Sequence, residues 1–188
     1  MLYIISGASR SGKTLIAKEV ATQKRIPYLS LDWIMMGFTN GIPEFGIHDK
    51  LFPDEIARRL WSFLNAMMES MIHVETDCVI EGEALLPELI MELAKEHPDK
   101  LRICFLGYTH MDIGIKLKAI RKFSIKKNDW LADKSDEYII DHIEKMIAHS
   151  KQIEISCKEQ GISYFDTSER FLDTLEDATK YIIGTSEK

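Results

Sequence analysis

The chain has 188 residues, which bounds it to about one domain with a single good core. Apolar residues make up 45% and charged residues 29%, and the formal net charge is −6. This acidity argues against nucleic acid or an anionic membrane as the default partner, because phosphates are repelled.

The elements alternate in type along the chain. Leu2 to Ser6 reads as a strand buried on both faces. It is too short, and too poor in preceding basic residues, for a signal peptide. Residues 13–23 carry Leu15, Ile16, Ala17 and Val20 at helical spacing. Pro27 to Leu31 reads as a second strand ending at Asp32. Residues 33–52 hold Gly37, Gly41, Pro43 and Gly46, so an irregular excursion is expected there. Residues 54–74 predict a long amphipathic helix with Asp54 and Glu55 in its first turn, where negative charge suits the dipole.

Cys78 to Ile80 reads as a third strand, followed by Glu81, Gly82 and Glu83. A helix is expected over 84–97, ending before Pro98, and a fourth strand from Leu101 to Leu106. A basic helix over 110–124 and a long helix over 135–160 follow, the latter stopping at Gly161. Ile162 to Phe165 reads as the fifth strand and 169–183 as the closing helix, with Ser168 its expected cap. Five strands separated by helices imply parallel β-α-β units with right-handed crossovers. No apolar run approaches the roughly 18 residues of a membrane span. Three cysteines without a Cys-x-x-Cys pair point to a reducing, cytoplasmic setting.

The run Gly7-Ala8-Ser9-Arg10-Ser11-Gly12-Lys13-Thr14 fits G-x-x-x-x-G-K-[ST], placed between a strand and a helix. Glycines let the backbone curl and present N–H groups to phosphate oxygens. The helix that opens at Lys13 aims its positive end at the anion. The Lys13 ammonium can reach the β- and γ-phosphates, and the Thr14 hydroxyl can ligate Mg²⁺. Arg10 is open to two readings, a phosphate contact or a solvated surface side chain.

In open parallel sheets ligands sit beyond the carboxyl ends of the strands. Two acids fall there. Asp32 is the candidate base or acceptor-positioning group, and Glu81 the candidate partner of the metal, directly or through water. The two roles can be exchanged on this evidence. Asp166 ends the fifth strand as a helix cap or a nucleotide contact. Residues 116–127 carry Lys116, Lys118, Arg121, Lys122, Lys126 and Lys127, and Arg121 is the candidate for stabilising transferring charge. At most one of Arg58 and Arg59 is expected to face the site. The six histidines are scattered without a metal-binding spacing, and no role is read for them.

These residues resemble the nucleotide-kinase-like group of P-loop proteins. The segments Val79 to Pro87 and Gly161 to Ser168 are similar to its 2-phosphoglycerate-kinase-like branch. The resemblance implies a three-layer α/β/α fold with sheet order 2-3-1-4-5, one domain over 1–188, and a basic lid around 116–130. It implies ATP with Mg²⁺ as donor, and a small-molecule acceptor held between the second strand and the 54–74 helix. A P-loop ATPase or nucleotide switch acting on a protein partner is the alternative. A GTPase is disfavoured, since neither Asn-Lys-x-Asp nor Asp-x-x-Gly after a strand is found.

Overall fold

The structure, a computed structural model, describes residues 1–123 and 129–184. Five strands form one parallel sheet: β1 (Leu2–Gly7), β2 (Tyr28–Ser30), β3 (Cys78–Gly82), β4 (Leu101–Gly107) and β5 (Ser163–Asp166). Their order is β2-β3-β1-β4-β5, as expected. The central strand β1 pairs with β3 from Leu2↔Cys78 and with β4 from Leu2↔Leu101.

Successive side chains of a strand point to opposite faces, and the core divides accordingly. Leu2, Ile4, Ile80 and Phe105 pack on one face of the sheet. There they meet α3 (Pro53–His73), α4 (Pro87–Glu96) and α6 (Asp136–Gln160) through residues such as Leu60, Leu64, Ile90 and Ile153. Tyr3, Ile5, Val79 and Leu106 pack on the other face, against α1 (Lys13–Lys24) and α7 (Phe171–Ile183). The result is three layers, α/β/α. In α3 the buried stripe Ile56, Leu60, Leu64, Met68, Ile72 recurs every four residues, which fixes the helix against the sheet.

Three local expectations change. Residues Leu31–Gly41 form a helix, α2, followed by one 3₁₀ turn at Pro43–Phe45. Gly37 and Gly41 are exposed there, while Leu31, Ile34, Met35 and Phe38 pack against the core at helical spacing. That apolar stripe outweighs the glycine cost of about 1 kcal/mol each. Asp32 therefore lies in the first turn of α2. Second, α4 begins at Pro87, a residue suited to a first helical turn. Third, α7 begins at Phe171. Ser168 does not cap it, because its hydroxyl accepts from the His110 N–H at 3.0 Å.

The segment before α6 carries a small core of its own. Ile120 of α5 (Ile113–Phe123) packs with Leu131, Ile139 and Ile143. Ser135 caps α6, its hydroxyl accepting from the Tyr138 N–H. Lys126 and Lys127 lie outside the described residues. No helix among the described residues is long and apolar enough to cross a membrane.

Phe105 is fully buried at the middle of the sheet. Phe105→Ala is expected to lower the unfolding free energy by about 3–5 kcal/mol. Urea titration followed by circular dichroism checks this, and a loss under about 1 kcal/mol contradicts the position given to β4.

Candidate active site

The site is built at the carboxyl ends of β1 and β3, where the chain turns into α1. Gly7 has φ +127 and Gly12 has φ +103, conformations that suit glycine. Space demands it as well. A Cβ on Gly7 would run into the Leu106 carbonyl, and one on Gly12 would lie 2.6 Å from Leu175 Cδ2. The turn is anchored by the Ala8 N–H, which donates to the Leu106 carbonyl at 2.9 Å. Ser11 Oγ and Arg10 Nε are buried without a hydrogen-bond partner among the described residues. Buried polar atoms are rarely left so, and here they sit in the loop that fits an anion.

Lys13 is 6% exposed. Its ammonium donates to the Ala8 carbonyl at 2.6 Å and lies 3.7 Å from Glu83 Oε1. Glu81 is inside β3, paired in register with Ile5 and Ser30, and is buried. Its Oε1 accepts from Ser30 Oγ at 2.8 Å and Tyr28 Oη at 3.1 Å. Its Oε2 accepts from Thr14 Oγ1 at 3.3 Å. Asp32 keeps a solvent-exposed face at the crowded mouth of the site. Partial desolvation raises its pKa, the Glu83 and Glu81 carboxylates raise it further, and Lys13 opposes them.

A hard cation fits this donor set. Mg²⁺ takes one or two carboxylates, and otherwise phosphate and water oxygens. The Thr14 hydroxyl beside the Glu81 carboxylate supplies that chemistry. Glu83 was not singled out from sequence. Glu83 lies one residue past the end of β3, and only the tertiary fold brings it to 3.7 Å from the Lys13 ammonium.

A second cation enters from α5. Lys116 Nζ donates to the Arg10 carbonyl at 2.9 Å and stands 4.0 Å from the centre of the Tyr108 ring. It is 6% exposed. Burial lowers its pKa to about 8, with Arg10 and Lys13 adding repulsion. Arg10 itself pairs with Asp129. Arg121, the residue expected to act on transferring charge, is engaged elsewhere. Its Nε and Nη2 donate to Asp136 Oδ1 at 2.8 and 2.6 Å, and Nη2 also donates to the Lys134 carbonyl. It fastens α5 to the start of α6. Sequence spacing groups lysines and arginines on a helix but does not say which one the tertiary fold turns inward.

Other candidates have structural partners. Arg58 pairs with Glu88, and Arg59 with Glu55 and the Gly46 carbonyl. Asp166 accepts from the Thr109 and Ser168 N–H groups, tying the ends of β4 and β5 together.

The chain is similar in structure to several solved kinases. A gluconokinase from Sinorhizobium meliloti 1021 superposes with a TM-score of 0.59 at 14% identity, over 98% of this chain and 91% of that one. A shikimate kinase from Bacteroides thetaiotaomicron gives 0.57 at 15% identity, over 96% and 97%. A sugar kinase from Janibacter sp. HTCC2649 gives 0.54 at 17% identity, over 96% and 93%. At such identities the likeness establishes the fold, that of the P-loop nucleotide-kinase-like proteins. No protein-family model and no curated protein matches the sequence.

The buried Lys116 charge makes a pH-dependent prediction. Below about pH 8 both folded and unfolded chains carry that charge, and the folded chain bears the full cost of burying it. Between there and the ordinary lysine range only the unfolded chain stays protonated, so this contribution to stability improves as pH rises. Lys116→Met is expected to be more stable by about 1–3 kcal/mol at neutral pH, a gain that shrinks toward about pH 10. Denaturant unfolding at the two pH values measures it. An equal gain at both means that no charge is buried there.

Proposed function

We propose that the protein is a small-molecule kinase that transfers the γ-phosphoryl group of ATP to a hydroxyl of its acceptor. One observation carries this reading: the Glu81 carboxylate accepts from Thr14 and the Glu83 carboxylate stands 3.7 Å from Lys13 at the mouth of a phosphate-shaped turn, with Asp32 within range of the Lys13 charge. A module that only held a nucleotide would need the turn, Lys13 and Thr14, but not a further carboxylate such as Asp32 with its pKa raised at the same mouth. The kinase neighbours of the same fold support the assignment.

The residues divide the work as follows. Main-chain N–H groups of residues 7–14 cradle the phosphates, with Gly7 and Gly12 keeping the turn open. The Lys13 ammonium leaves the Ala8 carbonyl and takes phosphate oxygens as its partners. Thr14 and Glu81 hold Mg²⁺, which when bound neutralises charge on the phosphate oxygens. Asp32, its pKa raised, orients the acceptor hydroxyl and receives its proton. Lys116, buried beside Arg10, offers positive charge from the α5 side, the role expected of Arg121. The whole chain acts as one domain; of the basic segment 116–130 expected as its lid, residues 124–128 lie outside the described residues. Phosphoryl transfer needs little covalent help, so placement and charge account for the catalysis.

A screen of phosphorylatable metabolites with ATP and Mg²⁺, scored by ADP release above the no-acceptor background, tests the reading. Asp32→Asn is expected to cut transfer by about 10²–10⁴-fold while nucleotide affinity is kept. Lys13→Ala is expected to abolish nucleotide binding in calorimetry. If no acceptor raises ADP release while a protein partner does, the kinase assignment falls and a partner-driven ATPase replaces it.

A further inference from the structure

A cavity of about 360 Å³ opens between the first turns of α3 and α4 and the second half of α6. Its charged lining is Asp54, Glu88 and Glu159, joined by His149, Ser156 and the amides of Gln152 and Gln160. No lysine or arginine lines it among the described residues. The volume lies at the small end of ligand sites and suits a single sugar ring.

His149 gives the cavity its chemistry. It is 4% exposed. Its Nδ1 lies 3.2 Å from Asp54 Oδ1, and neither that oxygen nor the ring's Nε2 has a hydrogen-bond partner among the described residues. On a neutral ring whose proton sits on Nδ1, facing that carboxylate, Nε2 is a lone pair open to a donor, and the unpartnered Asp54 oxygen is a second acceptor beside it. Burial also holds His149 below the usual imidazole range, so the ring is neutral near pH 7. Glu88 is already engaged, accepting from Arg58 Nη2 at 2.9 Å and Ser156 Oγ at 3.1 Å. The charged groups of the lining are thus all acidic, and the Gln152 and Gln160 amides can donate as well as accept. A ligand that fits must bring O–H and N–H donors, and an acid would be repelled.

The cavity connects to the phosphate site through one short stretch of chain. Glu83 faces Lys13, and two residues on the Leu85 carbonyl accepts from Ser6 Oγ at 3.2 Å, next to the phosphate turn. Leu86 and Glu88 then line the cavity. His149 feels the charges of both Glu83 and Lys13.

We propose that this cavity is the acceptor subsite and that it takes an amine-bearing polyol of the amino-sugar class, with His149 Nε2 accepting from one of its hydroxyl or ammonium groups. The word acceptor rests on the kinase reading; the ligand class does not. An acidic acceptor, such as a phosphorylated acid, meets three carboxylates here and no lining lysine or arginine among the described residues.

The test uses the full chain labelled with ¹⁵N-histidine. Its ring resonances, assigned to His149 by comparison with His149→Gln, are followed during titration with glucosamine, galactosamine, glucose and gluconate. The amino sugars are expected to shift the His149 signal saturably. Glucose and gluconate are expected to bind at least about tenfold more weakly, the loss of roughly one charge interaction. Asp54→Asn, verified as folded by its unfolding midpoint, is expected to weaken the amino sugars to the level of glucose. If neither amino sugar moves His149, or gluconate saturates at an equal or lower concentration, the subsite is overturned. Turnover with ATP separates the two claims. Amino sugars that bind but are not phosphorylated uphold the ligand class and remove the kinase reading. Amino sugars phosphorylated with unchanged KM by His149→Gln uphold the kinase reading and remove the subsite.

Discussion

An ammonium buried to 6% exposure must be neutralised by its surroundings, and the site is organised around that need at Lys13. The Ala8 carbonyl and the Glu83 carboxylate answer it within the folded chain. Both are partners that a phosphate oxygen can replace. Nearby, Glu81 is held by Ser30, Tyr28 and Thr14, so its charge is fixed in place before any cation arrives. Such preorganisation matters because a site whose dipoles already point correctly pays no reorganisation during the reaction. The glycines of the turn, the register of β3 and the first turn of α2 are what put these groups within reach of one another.

The part of this arrangement written in local sequence was legible. The P-loop spacing carries its own mechanism, and the five apolar runs, each followed by a helical one, point to parallel β-α-β units; the observed strand order is the one that the resemblance to nucleotide-kinase-like proteins implies. Asp32 and Glu81 were visible because each closes a strand-like run. What escaped depends on long-range geometry. The helix α2 was masked by Gly37 and Gly41, whose exposed positions make them cheap. Glu83, Lys116 and His149 differ from other acids, lysines and histidines only in where the fold turns them. Lys116 and Arg121 are five residues apart on one basic helix, yet one is buried under Arg10 and the other is tied to Asp136. Spacing alone cannot make that distinction, because tertiary contacts outweigh the few tenths of a kcal/mol of surface pairing.

The helices divide into a rigid part and an appended part. α1, α3, α4 and α7 bury their apolar stripes against the sheet. α5 instead packs on the first turns of α6 through a separate cluster around Ile120, Leu131, Ile139 and Ile143. Its links to the phosphate turn are polar: Lys116 with the Arg10 carbonyl, and Arg10 with Asp129. Polar contacts of this kind can be exchanged for phosphate contacts at little net cost, whereas a shared apolar core could not be.

The strand order has a consequence for biosynthesis. β1 is the first of the five strands to leave the ribosome, yet it occupies the centre of the sheet. Its two neighbours begin at Cys78 and Leu101, so Leu2 waits for some hundred residues of nascent chain before both of its edges are covered. Until then a mostly apolar segment with unpaired backbone edges is exposed to other chains. Yield in a cell should therefore depend on chaperone capacity and translation speed more than on the equilibrium stability of the finished fold.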